Sequence, residues 1–193
     1  MDEIQQYRQK LFKLLVERSL SFGHFVLTSG KTSDYYFDCK KVTRNSEGKF
    51  LIGNVFFHEI LKLDPEINGI GGLTMGADPI CDAVSIVSYM KKHPIETIIV
   101  RKEPKTHGIK KDIEGNIEDI SKVIVIDDVI TTGGSTLKAI DVISNYENVQ
   151  IVGVMILVDR EEGGKENIEK RGFKVISLFK KSELIDFAKS IKS

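Results

Sequence analysis

Tryptophan is absent from the 193-residue sequence, and cysteine occurs only as Cys39 and Cys81. The two cysteines lie far apart, with no C-x-x-C and no Cys/His cluster at zinc spacing. They read as small buried hydrophobes, not as a disulfide framework or a metal site. An excess of either charge is also missing, because 28 Lys and Arg face 28 Asp and Glu. That balance excludes a broad polyanion-binding surface and an acidic disordered chain. It leaves room for local charge. No window approaches the 18 apolar residues a membrane span needs. The opening MDEIQQYRQK is polar and acidic, unlike a secretory signal. No N-x-[ST] sequon occurs. The expectation is a soluble, cytoplasmic protein.

Internal repeats, low-complexity tracts and Pro/Gly/Ser linkers are lacking too. The expectation is a single domain over 1–193, with an N-terminal hood segment at 1–45 and an α/β core at 46–193. Hydrophobic residues make up 41% of the chain, enough for one core at this length.

Ile4, Tyr7, Leu11, Leu14 and Leu15 recur at helical spacing, predicting an amphipathic helix over 4–20. Residues 25–42, rich in Tyr, Phe, Thr and Gly, predict a hairpin or extended hood. A second helix is expected over 47–63. Strands are then expected at 68–71, 97–100, 122–126, 149–158 and 173–179. Helices are expected at 77–92, 135–145, 164–171 and 183–191. This alternation implies parallel βαβ crossovers, hence an α/β fold with a mostly parallel sheet flanked by helices. Ligands in such folds sit beyond the carboxyl ends of the strands.

At one such end, the apolar run Val123–Ile126 meets Asp127 and Asp128, then Thr131-Thr132-Gly133-Gly134-Ser135-Thr136 and a helical segment. The turn suits a phosphate. Gly133 and Gly134 let the backbone approach an oxyanion, the helix start adds N–H donors, and the hydroxyls of Thr131, Thr132, Ser135 and Thr136 add more. Two carboxylates would repel a phosphate, so they suit sugar hydroxyls or a hydrated Mg²⁺. Gly30-Lys31-Thr32 imitates the end of a P-loop, but Phe25 stands where that motif needs glycine.

The charge hidden in the neutral total lies in residues 101–111, which hold five Lys or Arg and one His against one Glu. Arg101-Lys102-Glu103-Pro104-Lys105-Thr106-His107-Gly108 follows a strand end and reads as a long loop able to act as a lid. Its cations suit an anionic ligand.

The Asp-Asp string resembles the phosphoribosyl pyrophosphate (PRPP) signature of the type I phosphoribosyltransferase family. Joined to the basic loop, to Asp159-Arg160-Glu161-Glu162-Gly163 and to Ser29-Gly30-Lys31-Thr32-Ser33-Asp34-Tyr35-Tyr36-Phe37-Asp38, it resembles the orotate phosphoribosyltransferases. The four matches span 25–163 in the family's order.

The resemblance implies transfer of ribose 5-phosphate from PRPP to orotate, giving orotidine 5′-monophosphate and pyrophosphate in pyrimidine biosynthesis. Asp127 and Asp128 would take the ribose hydroxyls, and Thr131 to Thr136 the 5-phosphate. Arg101, Lys102, Lys105 and His107 would take the pyrophosphate, with Lys105, His107, Arg101 and Asp128 as the catalytic set. Arg160 would hold the orotate carboxylate, with Tyr36, Phe37, Thr131 and Lys31 around the base. Mg²⁺ would be held mainly by PRPP and water, with no direct protein ligand. A homodimer with shared active sites is implied, without nucleic-acid or membrane partners. The sequence departs from the family pattern at Thr28 and Met75, where family lysines are not present. Transfer to another base, or PRPP sensing without chemistry, are the alternatives. The Arg160 strand end and the intact basic loop disfavour them.

Overall fold

The computed structural model describes residues 2–26, 32–103 and 112–191. The chain opens with helix α1 (Glu3–Ser19), started by Asp2, whose carboxylate accepts a hydrogen bond from the Gln5 backbone N–H at 2.7 Å. Its stripe of Leu11, Leu14 and Leu15 is buried. Strands β1 (Leu20–Val26) and β2 (Thr32–Phe37) pair antiparallel into a separate two-stranded ribbon. A short helix α2 (Lys40–Thr43) follows, then α3 (Ser46–Leu63), capped by the Asn45 side chain accepting from Gly48 N–H.

The remainder alternates. It runs β3 (Gly69–Leu73), α4 (Asp78–Met90), β4 (Glu96–Val100), β5 (Ile113–Glu114), β6 (Lys122–Ile130), α5 (Gly134–Ile143), β7 (Gln150–Asp159), α6 (Gly164–Glu169), β8 (Val175–Lys180) and α7 (Lys181–Ser190). The six strands lie in the order β5-β4-β3-β6-β7-β8. All neighbours are parallel except β5, which pairs antiparallel with β4. Two apolar clusters cover the two faces. One gathers α1, α3, α4 and α7 over Ile70, Ile126 and Leu178, and the other packs α5 and α6 against Ile98, Val125 and Ile156. This is the expected α/β architecture.

The order places a switch point beside β3. From β3 the chain steps to β4 on one side, then returns to β6 on the other and continues outward to β7 and β8. Loops leaving β3 and β6 therefore diverge and open a crevice between them, where ligands of open α/β sheets bind.

Three differences from the sequence expectation bear on the site. β6 does not stop at the acidic pair but continues to Ile130, paired with β7 as Asp127↔Ile156, Val129↔Val158 and Ile130↔Asp159. Its pairing to β3 ends at Gly71↔Val125. Beyond that point the carboxylates serve the backbone themselves: Asp128 N–H donates to Asp127 Oδ1 at 3.0 Å, and Val129 N–H to Asp128 Oδ1 at 2.9 Å. Second, β3 extends to Leu73, because pairing to β4 reaches Leu73↔Val100. Third, the connection from β4 to β6 contains β5 and a 3-10 turn at Ile117–Asp119, whose Ile113 and Ile117 are buried.

Candidate active site

The crevice is about 140 Å³ and lies between Thr74–Met75–Gly76, after β3, and Asp127, Asp128 and Ser135, with Lys40 and Lys102 on its wall. The Thr74–Met75 peptide is cis, and Thr74 Oγ1 donates to Asp78 Oδ1 at 3.1 Å. Gly76 faces the acidic pair so closely that a Cβ there would stand 2.6 Å from Asp127 Oδ1 and 2.8 Å from Asp128 Oδ1. Only glycine lets this loop approach both carboxylates.

Asp127 and Asp128 are buried, with 6% and 9% of their surfaces exposed. Burial first, and then the charge of Asp128, push the Asp127 carboxyl up to about 7, against the pull of the Thr136 hydroxyl and the Asp128 N–H. Burial also raises Asp128. Its bond with Asp127, the Val129 N–H and the positive charge of Lys40 act in the other direction. Burial thus raises both carboxyls above the ordinary carboxylate range. A ligand that brings hydroxyl donors or positive charge relieves both costs.

A second recess, about 30 Å³, adjoins the pair and is formed by Ile130, Thr131 and Gly133 to Thr136 at the start of α5. Gly133 has φ +86°, which turns the chain into α5, whose first-turn N–H groups lack helical partners. No atom lies within 4 Å of where a Cβ on Gly134 would stand, leaving the backbone open to a ligand. The outer side of the loop is braced by α6. Asn167 Nδ2 donates to the Thr132 carbonyl at 3.0 Å, and a Cβ at Gly164 would stand 2.4 Å from the Thr131 carbonyl oxygen. A loop of donors with a fixed frame beside two carboxylates suits a sugar phosphate.

Of the residues expected from sequence, Asp127, Asp128, Thr131, Gly133 to Thr136 and Lys102 come together here, whereas Thr132 is exposed and lines neither recess. Thr136 differs in role. It is buried, and its hydroxyl donates to Asp127 Oδ2 at 3.1 Å, so the side chain supports the acid and leaves its backbone for an anion. Arg101 does not stand free: its Nε donates to Glu114 Oε1 at 2.6 Å and its Nη2 contacts the same oxygen. The Lys102 carbonyl is taken by Lys138 Nζ.

Arg160 follows β7 at the same sheet end. Its backbone N–H donates to Ile130 O at 3.0 Å, tying it to the end of β6, while its Nη2 pairs with Glu162 at 3.0 Å. Its buried Nε has no partner among the described residues. Glu161, at φ +58°, reaches Ser182 N–H and Oγ at the start of α7, at 2.9 and 3.1 Å. On the β1–β2 ribbon, Tyr36 is exposed and its ring centroid lies 5.6 Å from that of Phe25, while Phe37 packs on the core. Lys31, Lys105 and His107 lie outside the described residues. Sequence reasoning missed Lys40 and Glu114. Lys40 carries the one legible signal, as a cation following the aromatic segment Tyr35–Phe37.

A parallel sheet whose switch-point crevice joins an acidic pair to a phosphate-sized recess defines the class: a phosphoribosyltransferase. Residues 82–187 match the family described as "Phosphoribosyl transferase domain". The orotate phosphoribosyltransferase of Aquifex aeolicus (strain VF5) is 47% identical over 181 residues, covering 92% of this chain and 97% of that one. Two crystal structures of Mycobacterium tuberculosis H37Rv orotate phosphoribosyltransferase are similar throughout. The Fe(III) dicitrate complex has a TM-score of 0.77 at 33% identity, covering 92% of this chain and 98% of that one. The complex with PRPP has a TM-score of 0.73 at 30% identity, with the same coverage. The chain belongs to the orotate phosphoribosyltransferase family.

The acidic pair makes a pH-dependent stability prediction. Folded Asp127 keeps its proton up to about 7, whereas its ordinary value is 3.8, so stability is lost as pH rises between these values. Asp127→Asn keeps the acceptor oxygen for Asp128 N–H and removes the charge. Its melting temperature should exceed that of the wild type at about pH 8, by roughly 1–3 kcal/mol of stability, and converge with it near pH 4. Thermal melts at both pH values check this.

Proposed function

We propose that the protein transfers ribose 5-phosphate from PRPP to orotate, releasing pyrophosphate and forming orotidine 5′-monophosphate in pyrimidine biosynthesis. The observation that carries the reading is the buried Asp127–Asp128 pair set beside the Thr131–Thr136 recess in the switch-point crevice. On this reading residues 1–193 work as a single phosphoribosyltransferase domain in the cytoplasm, with residues 1–45 as a hood over the orotate end. No helix among the described residues is long and apolar enough to cross a membrane.

The ribose hydroxyls donate to Asp127 and Asp128, and the 5-phosphate accepts from the backbone of Thr131 to Thr136 and from the hydroxyls of Thr131, Thr132 and Ser135. The pyrophosphate lies along Thr74–Gly76, facing Lys102. Arg101, Lys105 and His107 complete its neutralisation. Arg101 reaches it by exchanging Glu114 for phosphate oxygens, which offer the same two-pronged geometry. Arg160 receives the orotate carboxylate in place of Glu162. Tyr36 and the backbone at Phe37 cover the base, with Thr131 and Lys31 at its edge.

The bond from ribose C1 to the pyrophosphate oxygen breaks as a bond to the orotate ring nitrogen forms. The bonding pair departs with pyrophosphate, and the nitrogen's proton passes to solvent or to a pyrophosphate oxygen. Positive charge grows on the ribose beside Asp127 and Asp128, and negative charge on the leaving group beside the cations. Catalysis is therefore electrostatic and positional. Two close carboxylates that resist joint ionisation fit Mg²⁺ held through water and ribose hydroxyls. Bound there, it supplies positive charge to PRPP oxygens.

The protein also works as a homodimer. Phe50, Ile86 and Met90 are exposed around an apolar groove of about 420 Å³ between α1, α3 and α4. Its rim carries Glu3 and Asp82 as well as Lys49 and Lys91. A mixed rim is self-complementary under two-fold symmetry, so a second copy is the occupant.

Orotate consumption, followed by ultraviolet absorbance with PRPP and Mg²⁺ present or withheld, tests the activity; no consumption with all components present would overturn it. Lys105→Ala should lower turnover about 100-fold or more, the scale of one lost transition-state contact. Near-normal steady-state turnover would remove Lys105 from the mechanism. Arg160→Ala should raise KM for orotate while leaving that for PRPP near normal. Ile86→Glu should shift the protein from dimer towards monomer in sedimentation. An unchanged dimer would place the interface elsewhere.

A further inference from the structure

The crevice has an imbalance. Its β3-side wall is Thr74, Met75 and Gly76, and carries no charge, with Met75 about half exposed. Pyrophosphate bears several negative charges, and the guanidinium of Arg101 is already occupied by Glu114. Two described cations reach the crevice wall, Lys102 after β4 and Lys40 at the start of α2.

Lys40 is held in place by its backbone. Its N–H donates to Asp38 Oδ1 at 3.0 Å, and the neighbouring Cys39, Val42 and Thr43 are all buried. This anchors α2 and directs residue 40 outward to the crevice. The Lys40 side chain makes no hydrogen bond or ion pair among the described residues, yet its charge is felt at Asp128. A positioned, unpaired ammonium on the wall of an anion-binding crevice has no structural partner to serve.

We propose that Lys40 is a direct ligand of the PRPP pyrophosphate group, supplying from the hood segment the positive charge that the Thr74–Gly76 wall lacks. This assignment rests on the proposed function. A lysine here does two things. It neutralises a phosphate oxygen as a compact point charge, and its charge opposes the rise that burial imposes on the Asp128 carboxyl. Because α2 follows β2, it also couples donor binding to the ribbon that carries Tyr36. Lys41, next in the chain, is exposed and does not line the crevice, so it serves as a control of equal charge.

The test compares wild type, Lys40→Ala, Lys40→Arg and Lys41→Ala. Inorganic pyrophosphate affinity is read by titration calorimetry, and KM and kcat are measured for each substrate. Lys40→Ala should weaken pyrophosphate binding about tenfold or more, the worth of one charge-assisted hydrogen bond. KM for PRPP should rise in step while KM for orotate changes less than about twofold. Lys40→Arg should recover most of the loss, and Lys41→Ala should match wild type. Unchanged pyrophosphate affinity in Lys40→Ala overturns the assignment. So does an equal loss in Lys41→Ala, which would mean a diffuse field instead of a contact. A wild type that binds pyrophosphate through Lys40 but does not consume orotate leaves this assignment standing and sinks the proposed reaction.

Discussion

Two adjacent carboxylates inside a protein are a constraint the surrounding structure has to meet. Asp127 and Asp128 sit buried at the inner end of β6, where their own backbone N–H groups lose the β3 ladder. Their oxygens close that gap by accepting from Asp128 and Val129. The neighbours follow from the same constraint. Position 76 admits no Cβ, the Thr136 hydroxyl turns inward, and Lys40 brings compensating charge. Even so, the pair remains costly until something with hydroxyls and positive charge arrives. That cost is what the proposed sugar-phosphate ligand, with its hydroxyls, would relieve.

Around this pair the sheet arranges three functions by strand order alone. The end of β6 carries the acidic pair and the Gly-rich turn. On one flank, β4 and β5 meet as Arg101 and Glu114. On the other, β7 ends at Arg160, tied to Ile130 by its backbone. Both arginines are parked on glutamates, Arg101 on Glu114 and Arg160 on Glu162. A carboxylate presents the same pair of oxygens as a phosphate or an orotate carboxylate, so on the proposed function each glutamate is a stand-in that the ligand would displace.

Element types and order were legible in the sequence, because apolar runs of strand length alternate with helical spacing from residue 46 onward. The acidic pair and the Gly-rich turn were legible because chemistry and chain position coincide there. The boundaries that shifted did so for tertiary reasons. β6 runs on to Ile130 since β7 continues to pair with it, and β5 exists only because the edge of β4 needs a partner. Thr136 looked like another phosphate hydroxyl, and only the fold turns it towards Asp127. Lys40 and Glu114 carried no motif. Their meaning arises from elements far apart in sequence that converge on one crevice.

The local chemistry was determined by sequence alone: a phosphate-holding turn after two acids, a basic loop after a strand, and an arginine past another strand. Each is a short-range pattern whose atoms are covalently close. Which cations remain available was decided only by the tertiary structure. Charge pairing depends on through-space distance, and the fold sets Arg101 against Glu114 and Arg160 against Glu162 while leaving Lys40 open to the crevice. The neutral sum of 28 positive and 28 negative residues contains none of this, since a sum has no geometry.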